Sequence, residues 1–317
     1  MSKKRLITSG VILLLLVGLF FTRLWNYVIF DIAFGALSVV ACIEVSRVAY
    51  AAGKFNATYV VCTYPAVLYL ISMLFISKKY TFSYFIFAFL IVFIIYFVLI
   101  FAITVCTQKS TVDEMGKVGY AGSKLSFAFN KAMYSLALMV YPAILFLSII
   151  FLSHFTESSL AAGVVGSDIL STFLLVLVFA VTMVCDSMAM VVGITFKGKK
   201  LCPSISPHKT ISGAIGGLLG GVGAAFAVYA IFNVYPAFVT DFSAIGGNVW
   251  HILVLGLIGS LLSQIGDLVA SILKRHADIK DYGNIFPGHG GVMDRLDGLV
   301  FNSTFVMIYC YAMLYLL

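Results

Sequence analysis

Long apolar runs recur from one end of this 317-residue chain to the other, and they limit what it can fold into more than any other feature. A helix needs about 20 residues to cross the hydrocarbon core of a bilayer. Nine segments are candidates: residues 6–22, 27–43, 59–77, 82–105, 132–152, 167–185, 211–234, 247–272 and 299–317. The chain is 62% hydrophobic and only 10% charged, where a soluble domain is about half apolar and about a quarter charged. Too little polar surface remains to cover a particle in water, so lipid is the fitting solvent. The expected fold is all-α, a polytopic transmembrane helical bundle of about nine membrane helices. The runs are spread over the whole length, so residues 1–160 and 161–317 are read as two halves of one integrated membrane domain. Lys3, Lys4 and Arg5 open the first run as they would open a signal peptide. "FFTRLW" follows it in place of a small-residue cleavage site, and the run is read as a membrane helix.

A charge map fixes an expected orientation. With the N-terminus in the cytoplasm and the helices alternating, 17 of the 20 Lys and Arg residues fall on the inside, and only Arg23, Lys78 and Lys79 fall outside. Cytoplasmic loops carry such an excess, which also accounts for the net charge of +7 without a nucleic-acid partner. The outside loops are short and nearly featureless. Three inside segments, 106–131, 185–210 and 273–298, are rich in polar residues, which places the expected activity at the cytoplasmic face, of the inner membrane if the source is bacterial. The six cysteines (Cys42, Cys62, Cys106, Cys185, Cys202 and Cys310) form no CxxC pair and no metal-ligand spacing. They are read as small buried hydrophobes.

Several polar residues stand out against this background. Asp267 lies deep in an apolar run, where an ionised carboxylate costs at least ~2.5 kcal/mol. Ser263, Ser271 and Lys274 or Arg275 are its neighbours at helical spacing, forming a polar stripe aimed at the inside loop. This is either a structural ion pair or a metal ligand facing water. In "GGVMDRLDG", Asp294 and Asp297 are three apart and share a helix face. Two such carboxylates can hold Mg²⁺, which favours oxygen ligands and phosphates, while Arg295 is available to a phosphate. With Asp281, Lys280, Lys274 and Arg275 nearby, the mixture of acids and bases suits a divalent metal with polyphosphate. The "FPGHGG" segment, with Gly288, Gly290 and Gly291, permits close approach of backbone N–H groups to an anion. The helix start that follows can add to such an anion site. His289 either donates to a phosphate or holds the turn. Asp186 is read as ending a membrane helix, followed by a basic loop, and Lys209 and Thr210 at the next helix start can grip phosphate. Six glycines between Gly213 and Gly223 are read as helix packing. Glu44 and Arg47, three apart, can pair with each other, and spacing gives them no chemistry; Asp31 and Asp168 are likewise unassigned.

The segment "SILKRHADIKDYGNIFPGHGGVMDRLD", Ser271 to Asp297, resembles the C-terminal signature of the phosphatidate cytidylyltransferases, also called CDP-diacylglycerol synthases. Ser271, Lys274, Arg275, Lys280, Asp281, Gly283, Pro287, His289, Gly290, Gly291, Asp294, Arg295 and Asp297 all stand where that pattern requires them. A weaker likeness runs through Asp186, Gly193, Lys200, Leu201, Pro203, Ile205, Ser206, Pro207, Lys209, Thr210 and Gly213. There Ile211-Ser212 replaces the family's Trp-Glu, and Ser187 replaces a Thr. The specific resemblance covers about the last 130 residues; the N-terminal half resembles the family only in being hydrophobic, with Glu44 a candidate counterpart of a glutamate there. It implies transfer of the cytidylyl group of CTP to phosphatidate, giving CDP-diacylglycerol and pyrophosphate, with Mg²⁺ and room for a second cation. It implies Asp267 and Asp294 as the first metal ligands, with Asp297 and Asp281 next. Lys209, Lys274, Arg275, Lys280 and Arg295 become phosphate contacts, and Ser206 and His289 orient the nucleotide. Thr210, Gly290 and Gly291 complete the substrate-binding set, while Asp294, Asp267, Lys280, Arg295 and His289 form the catalytic one. The expected partners are CTP, phosphatidate and membrane lipids, with a homodimer left open. Three rivals remain: a cytidylyltransferase for another phosphorylated lipid, an inactive relative with a structural role, supported only by Ile211-Ser212, and a membrane transporter. Transporters gather polar groups at the midplane, whereas here they gather at one face.

Overall fold

The computed structural model of the chain describes residues 18–23, 25–51, 58–78, 82–106, 137, 139–157, 167–286 and 290–316. Helices dominate: α1 (Tyr27–Ala51), α2 (Thr58–Lys78), α3 (Phe82–Cys106), α4 (Leu145–Ser153), α5 (Ile169–Phe196), α6 (Ile211–Phe232), α7 (Pro236–Ala244), α8 (Val249–His276) and α9 (Met293–Leu316). Among the described residues, five helices are long and apolar enough to cross a membrane: Tyr27–Arg47, Ile169–Phe196, Ile211–Phe232, Val249–His276 and Met293–Leu314. Shorter apolar helices at Thr63–Leu74, Phe87–Ile100 and Val140–Ser153 match three more of the expected runs. Of the run at 6–22, residues 18–22 are helical and the rest lies outside the described residues. The architecture is an all-α membrane bundle, and its outer surface bears this out physically. On α3 the exposed residues Phe87, Leu90, Ile91, Ile94, Ile95, Val98 and Leu99 recur at helical spacing and are all apolar. Such a stripe has lipid as its natural neighbour.

The C-terminal helices form the tighter half. α5 packs along α6, and α8 lies against both α6 and α9. Small residues make this possible. A Cβ at Gly213 would stand 2.6 Å from the Ala189 carbonyl oxygen, one at Gly216 2.5 Å from Cβ of Val192, and one at Gly217 3.0 Å from the Cys185 carbonyl oxygen. The glycine-rich run therefore brings α6 onto α5 backbone to backbone, as the packing reading expects. α1 packs on α2, and α4 joins the two halves by touching α9 and α5.

Four expectations about boundaries are corrected. The run 132–152 is not one continuous helix: Tyr141 is extended (φ −116°, ψ 119°) ahead of Pro142, because the ring of a proline pushes the preceding residue out of the helical region. The helix expected to end at residue 185 continues to Phe196, so Asp186 sits within α5 and does not end it. The loop expected over 185–210 contains a short antiparallel hairpin, β1 (Lys200–Cys202) with β2 (Ser206–Thr210), pairing Lys200 with Thr210 and Cys202 with Ser206. The outside segment 235–246, read as featureless, holds α7. It is anchored where the rings of Phe238 and Phe173 lie 4.7 Å apart and those of Phe238 and Phe242 5.3 Å apart.

The two acids that the sequence left unassigned are structural. Arg23 donates to both carboxylate oxygens of Asp168 at 2.8 Å and to the Ser153 carbonyl at 2.7 Å. Asp31 pairs with His154 at 2.8 Å, both side chains being buried. These contacts gather at the C-terminal end of α4 and the N-terminal end of α5. The opposite end of the C-terminal bundle opens into a cavity.

Candidate active site

The C-terminal half of α5, the hairpin, the start of α6, the end of α8 and the start of α9 converge on one cavity of about 1030 Å³. Each element delivers its polar groups for a local reason. On α8, Asp267 and Lys274 are seven residues apart and so share a face, and both line the cavity. Lys274, Arg275 and His276 occupy the last turn of that helix, where cations offset the helix dipole. On α9, Asp294 and Asp297 are one turn apart and both face the cavity. The hairpin turns back over the start of α6, where the Thr210 hydroxyl accepts from the Gly213 N–H at 3.1 Å and caps the helix. The same turn carries Lys200, His208 and Lys209 to the cavity wall. The side formed by Ala189, Met190, Gly193, Ile194, Leu201 and Ala214 is apolar. One chamber therefore offers carboxylates, ammonium groups and a greasy wall.

Asp294 is the most constrained of the acids. Its side chain is only 3% exposed; Oδ1 accepts from the Lys274 ammonium at 2.7 Å. Oδ2 accepts from the Tyr282 N–H at 2.8 Å and the Gly291 N–H at 2.9 Å. The Lys274 ammonium also stands 5.3 Å from the centre of the Tyr282 ring. Burial, with the carboxylates of Asp297 and Asp294 close by, pushes the Tyr282 phenol up, so it stays neutral across the physiological range. Asp267 is more open, at 36% exposure, and pairs with Lys209 at 2.6 Å. Ser271 lies 3.4 Å from the same carboxylate. Asp297 is buried and accepts from the Gly298 N–H at 2.7 Å.

The carboxylates of Asp186, Asp267 and Asp297 repel one another across the cavity, and Lys209, Lys274 and Arg295 relieve that repulsion. Such a set of hard oxygen donors suits a hard cation. Among the described residues, no three His, Cys, Asp or Glu side chains cluster closely enough to enclose an ion. A divalent ion here would draw on one or two carboxylates and complete its shell with water and phosphate oxygens, which is the habit of Mg²⁺. The residues fit that group.

Of the residues singled out from sequence, Asp267, Asp281, Asp294, Asp297, Lys209, Thr210, Lys274 and Arg295 line the one cavity. Arg275 is turned to the hairpin and the following loop, donating to the carbonyls of Ile205 at 3.4 Å and Ile279 at 3.3 Å. Ser206, Lys280, Gly290 and Gly291 are not among the lining residues. His289, with Pro287 and Gly288, lies outside the described residues. The helix start expected as an anion cradle is committed to the protein's own acids. Gly291 N–H donates to Asp294, and the N–H groups of Val292 and Met293 donate to Glu44. Sequence reasoning missed Asp186, Gln264, Lys197 and Lys200 as cavity residues and Glu44 as a support. For Asp186 a signal existed: the apolar pattern resumes after it and runs to Phe196, so the acid lies inside a helix. For Glu44 the family resemblance gave a candidate counterpart but spacing gave no role, since its partners are 248 and 249 residues away.

Three relatives illustrate what the chain is similar to, all bearing the name phosphatidate cytidylyltransferase. One from Rickettsia felis is 39% identical over 134 residues, covering 41% of this chain and 56% of the relative. One from Staphylococcus haemolyticus is 41% identical over 123 residues, covering 39% and 43%. One from Bacillus subtilis is 40% identical over 121 residues, covering 38% and 41%. The matches span about half the length of these relatives. A family model, described as the cytidylyltransferase family, matches residues 3–313. With nearly every residue inside that match, the chain belongs to the cytidylyltransferase family.

Proposed function

We propose that the protein transfers the cytidylyl group of CTP to phosphatidate, releasing pyrophosphate and forming CDP-diacylglycerol, with Mg²⁺ as cofactor. One observation carries the reading. Asp267 and Asp294, 27 positions apart in sequence, open into a single cavity that also holds Lys209, Lys274, Arg295 and an apolar wall. A lipid phosphate needs an apolar flank and a cationic head site together, and a nucleoside triphosphate needs the cations and the acids.

In the reaction an oxygen of the lipid phosphate attacks the α-phosphorus of CTP. A new P–O bond forms there, the bond from that phosphorus to the bridging β-oxygen breaks, and pyrophosphate leaves with the electron pair. The nucleophile is already anionic, so no strong general base is required. The obstacle is the approach of one anion to another, which fixed positive charge relieves in the transition state. Lys209, Lys274 and Arg295 supply that charge and orient the phosphates. Asp267 and Asp294 would hold the metal, which when bound would neutralise phosphate charge. The wall of Met190, Ile194 and Leu201 receives the glycerol and the start of the acyl chains. The cavity faces the cytoplasm in this reading, supported by the 17 basic residues that an N-terminus-in topology places on the inside.

The test is incubation of purified protein with labelled CTP and phosphatidate, with and without Mg²⁺. Labelled lipid forms only with the metal, and falls roughly 100-fold or more in Asp267→Asn and in Asp294→Asn. Wild-type turnover in both variants contradicts the metal assignment. Folded wild-type protein that makes no labelled lipid contradicts the activity.

A further inference from the structure

Helix α1 reaches the site through one side chain. Glu44 is 4% exposed, and its two carboxylate oxygens accept from the N–H groups of Val292 at 3.0 Å and Met293 at 2.9 Å. These amides lie at the start of α9, where the first N–H groups of a helix have no partner within it. Asp294, the next residue, fixes the same junction from the cavity side by accepting from Tyr282 N–H and Gly291 N–H. Two carboxylates from opposite ends of the chain therefore clamp one loop-to-helix turn. The fit has no slack. A Cβ at Gly283 or at Gly291 would run into the Glu44 carboxylate, and one at Gly290, where φ is +84°, would stand 2.6 Å from Oδ2 of Asp294.

We propose that Glu44 is a positioning residue: its carboxylate sets the first turn of α9 and thereby the aim of Asp294 into the cavity, which Glu44 itself does not line. The kinetic consequence rests on the cytidylyl-transfer reading, whereas the structural consequence does not. Full negative charge is required for two reasons. Two N–H donors need two acceptor oxygens, and a helix N-terminus favours an anion. Glutamine offers one acceptor and turns an NH₂ toward the second amide, opposing donor to donor. Aspartate keeps the charge but is one methylene shorter and cannot span both amides from the same position on α1.

Glu44→Gln and Glu44→Asp in the full chain, purified in detergent, test this. Two quantities are measured: turnover with its KM for CTP, and backbone hydrogen exchange over residues 290–297, with the α8 start (residues 249–252) as control. In Glu44→Gln, exchange at 291–294 quickens while the α8 start is unchanged. The kcat falls roughly 10- to 100-fold, as small misplacement of a reacting group does, with KM for CTP held within about twofold because the CTP-facing cations are untouched. Glu44→Asp falls between the two. A uniform loss of protection with unchanged kcat per folded molecule makes Glu44 an ordinary core residue and overturns the proposal. Unchanged exchange at 291–294 in Glu44→Gln overturns it too, whatever the activity. Wild-type protein that makes no labelled lipid, combined with the local exchange change, supports the positioning and refutes the cytidylyl-transfer reading instead.

Discussion

Lysine pairs with each of the two proposed metal ligands, but in different surroundings. Lys274 and Asp294 form a pair whose side chains are 13% and 3% exposed, while Lys209 and Asp267 are 25% and 36% exposed. Breaking a buried pair strands a charge and costs about 3–5 kcal/mol, whereas an exposed pair contributes under about 1 kcal/mol. The two lysines should therefore separate by stability although both are proposed to serve the phosphates. Lys274→Met is expected to lower stability by about 2–4 kcal/mol, the two backbone donors on Asp294 softening the full penalty. Lys209→Met should cost less than about 1 kcal/mol. Turnover should drop in each, read by the labelled-CTP assay beside thermal denaturation in detergent; equal destabilisation by the two would contradict the burial argument. Asp267 was legible as a cavity residue because a carboxylate among apolar residues has few reasons to be there, and Asp294 because its spacing to Asp297 and the family signature both single it out. For Glu44 only the family resemblance pointed anywhere, because a carboxylate whose partners are backbone amides more than 240 positions away leaves no local pattern.

Among the secondary-structure elements, the contact of α5 with α6 decides how closely the cavity walls stand. Its glycines are not equivalent. A Cβ at Gly216 meets Cβ and Cγ2 of Val192 at 2.5 and 2.6 Å, and a β-branched side chain in a helix cannot turn away. A Cβ at Gly220 meets Met188 at 2.6 Å, a flexible side chain that can yield. Among the described residues no atom comes within 4 Å of a Cβ built at Gly223. Alanine should thus cost about 1–3 kcal/mol at Gly216, less at Gly220, and stabilise by up to about 1 kcal/mol at Gly223 through helix propensity. A reversed order in unfolding titrations would show that the helices meet on another face. The glycine spacing made this contact readable. The boundary of α5 was not, because Asp186 and Ser187 look like an end. Within the helix, Ser187 satisfies its own hydroxyl by donating to the Met183 carbonyl at 2.7 Å, and Asp186 faces the cavity. The hairpin was equally hidden: strands of three and five residues, mostly polar and half-exposed, carry no alternation strong enough to read.

At the scale of the whole molecule, two polar regions among the described residues lie at opposite ends of α5. Arg23, Asp31, His154 and Asp168 pair off at the start of that helix, and the charged cavity opens along its last turns. In the proposed topology these ends face different compartments, with the cavity and hairpin on the inside. Cys202 makes this measurable. It lies on β1 and is partly exposed, while Cys42, Cys185 and Cys310 are buried. With Cys62 and Cys106 replaced by alanine, a membrane-impermeant maleimide should label Cys202 in inverted vesicles and leave it unlabelled in intact cells. The reverse pattern would put the lysines Lys197, Lys199, Lys200 and Lys209 on the outer side against the positive-inside rule, and would remove the cavity from any cytoplasmic supply of nucleotide. Because the cavity and Cys202 share the hairpin, that one labelling result fixes the side of the reaction as well as the orientation of the bundle.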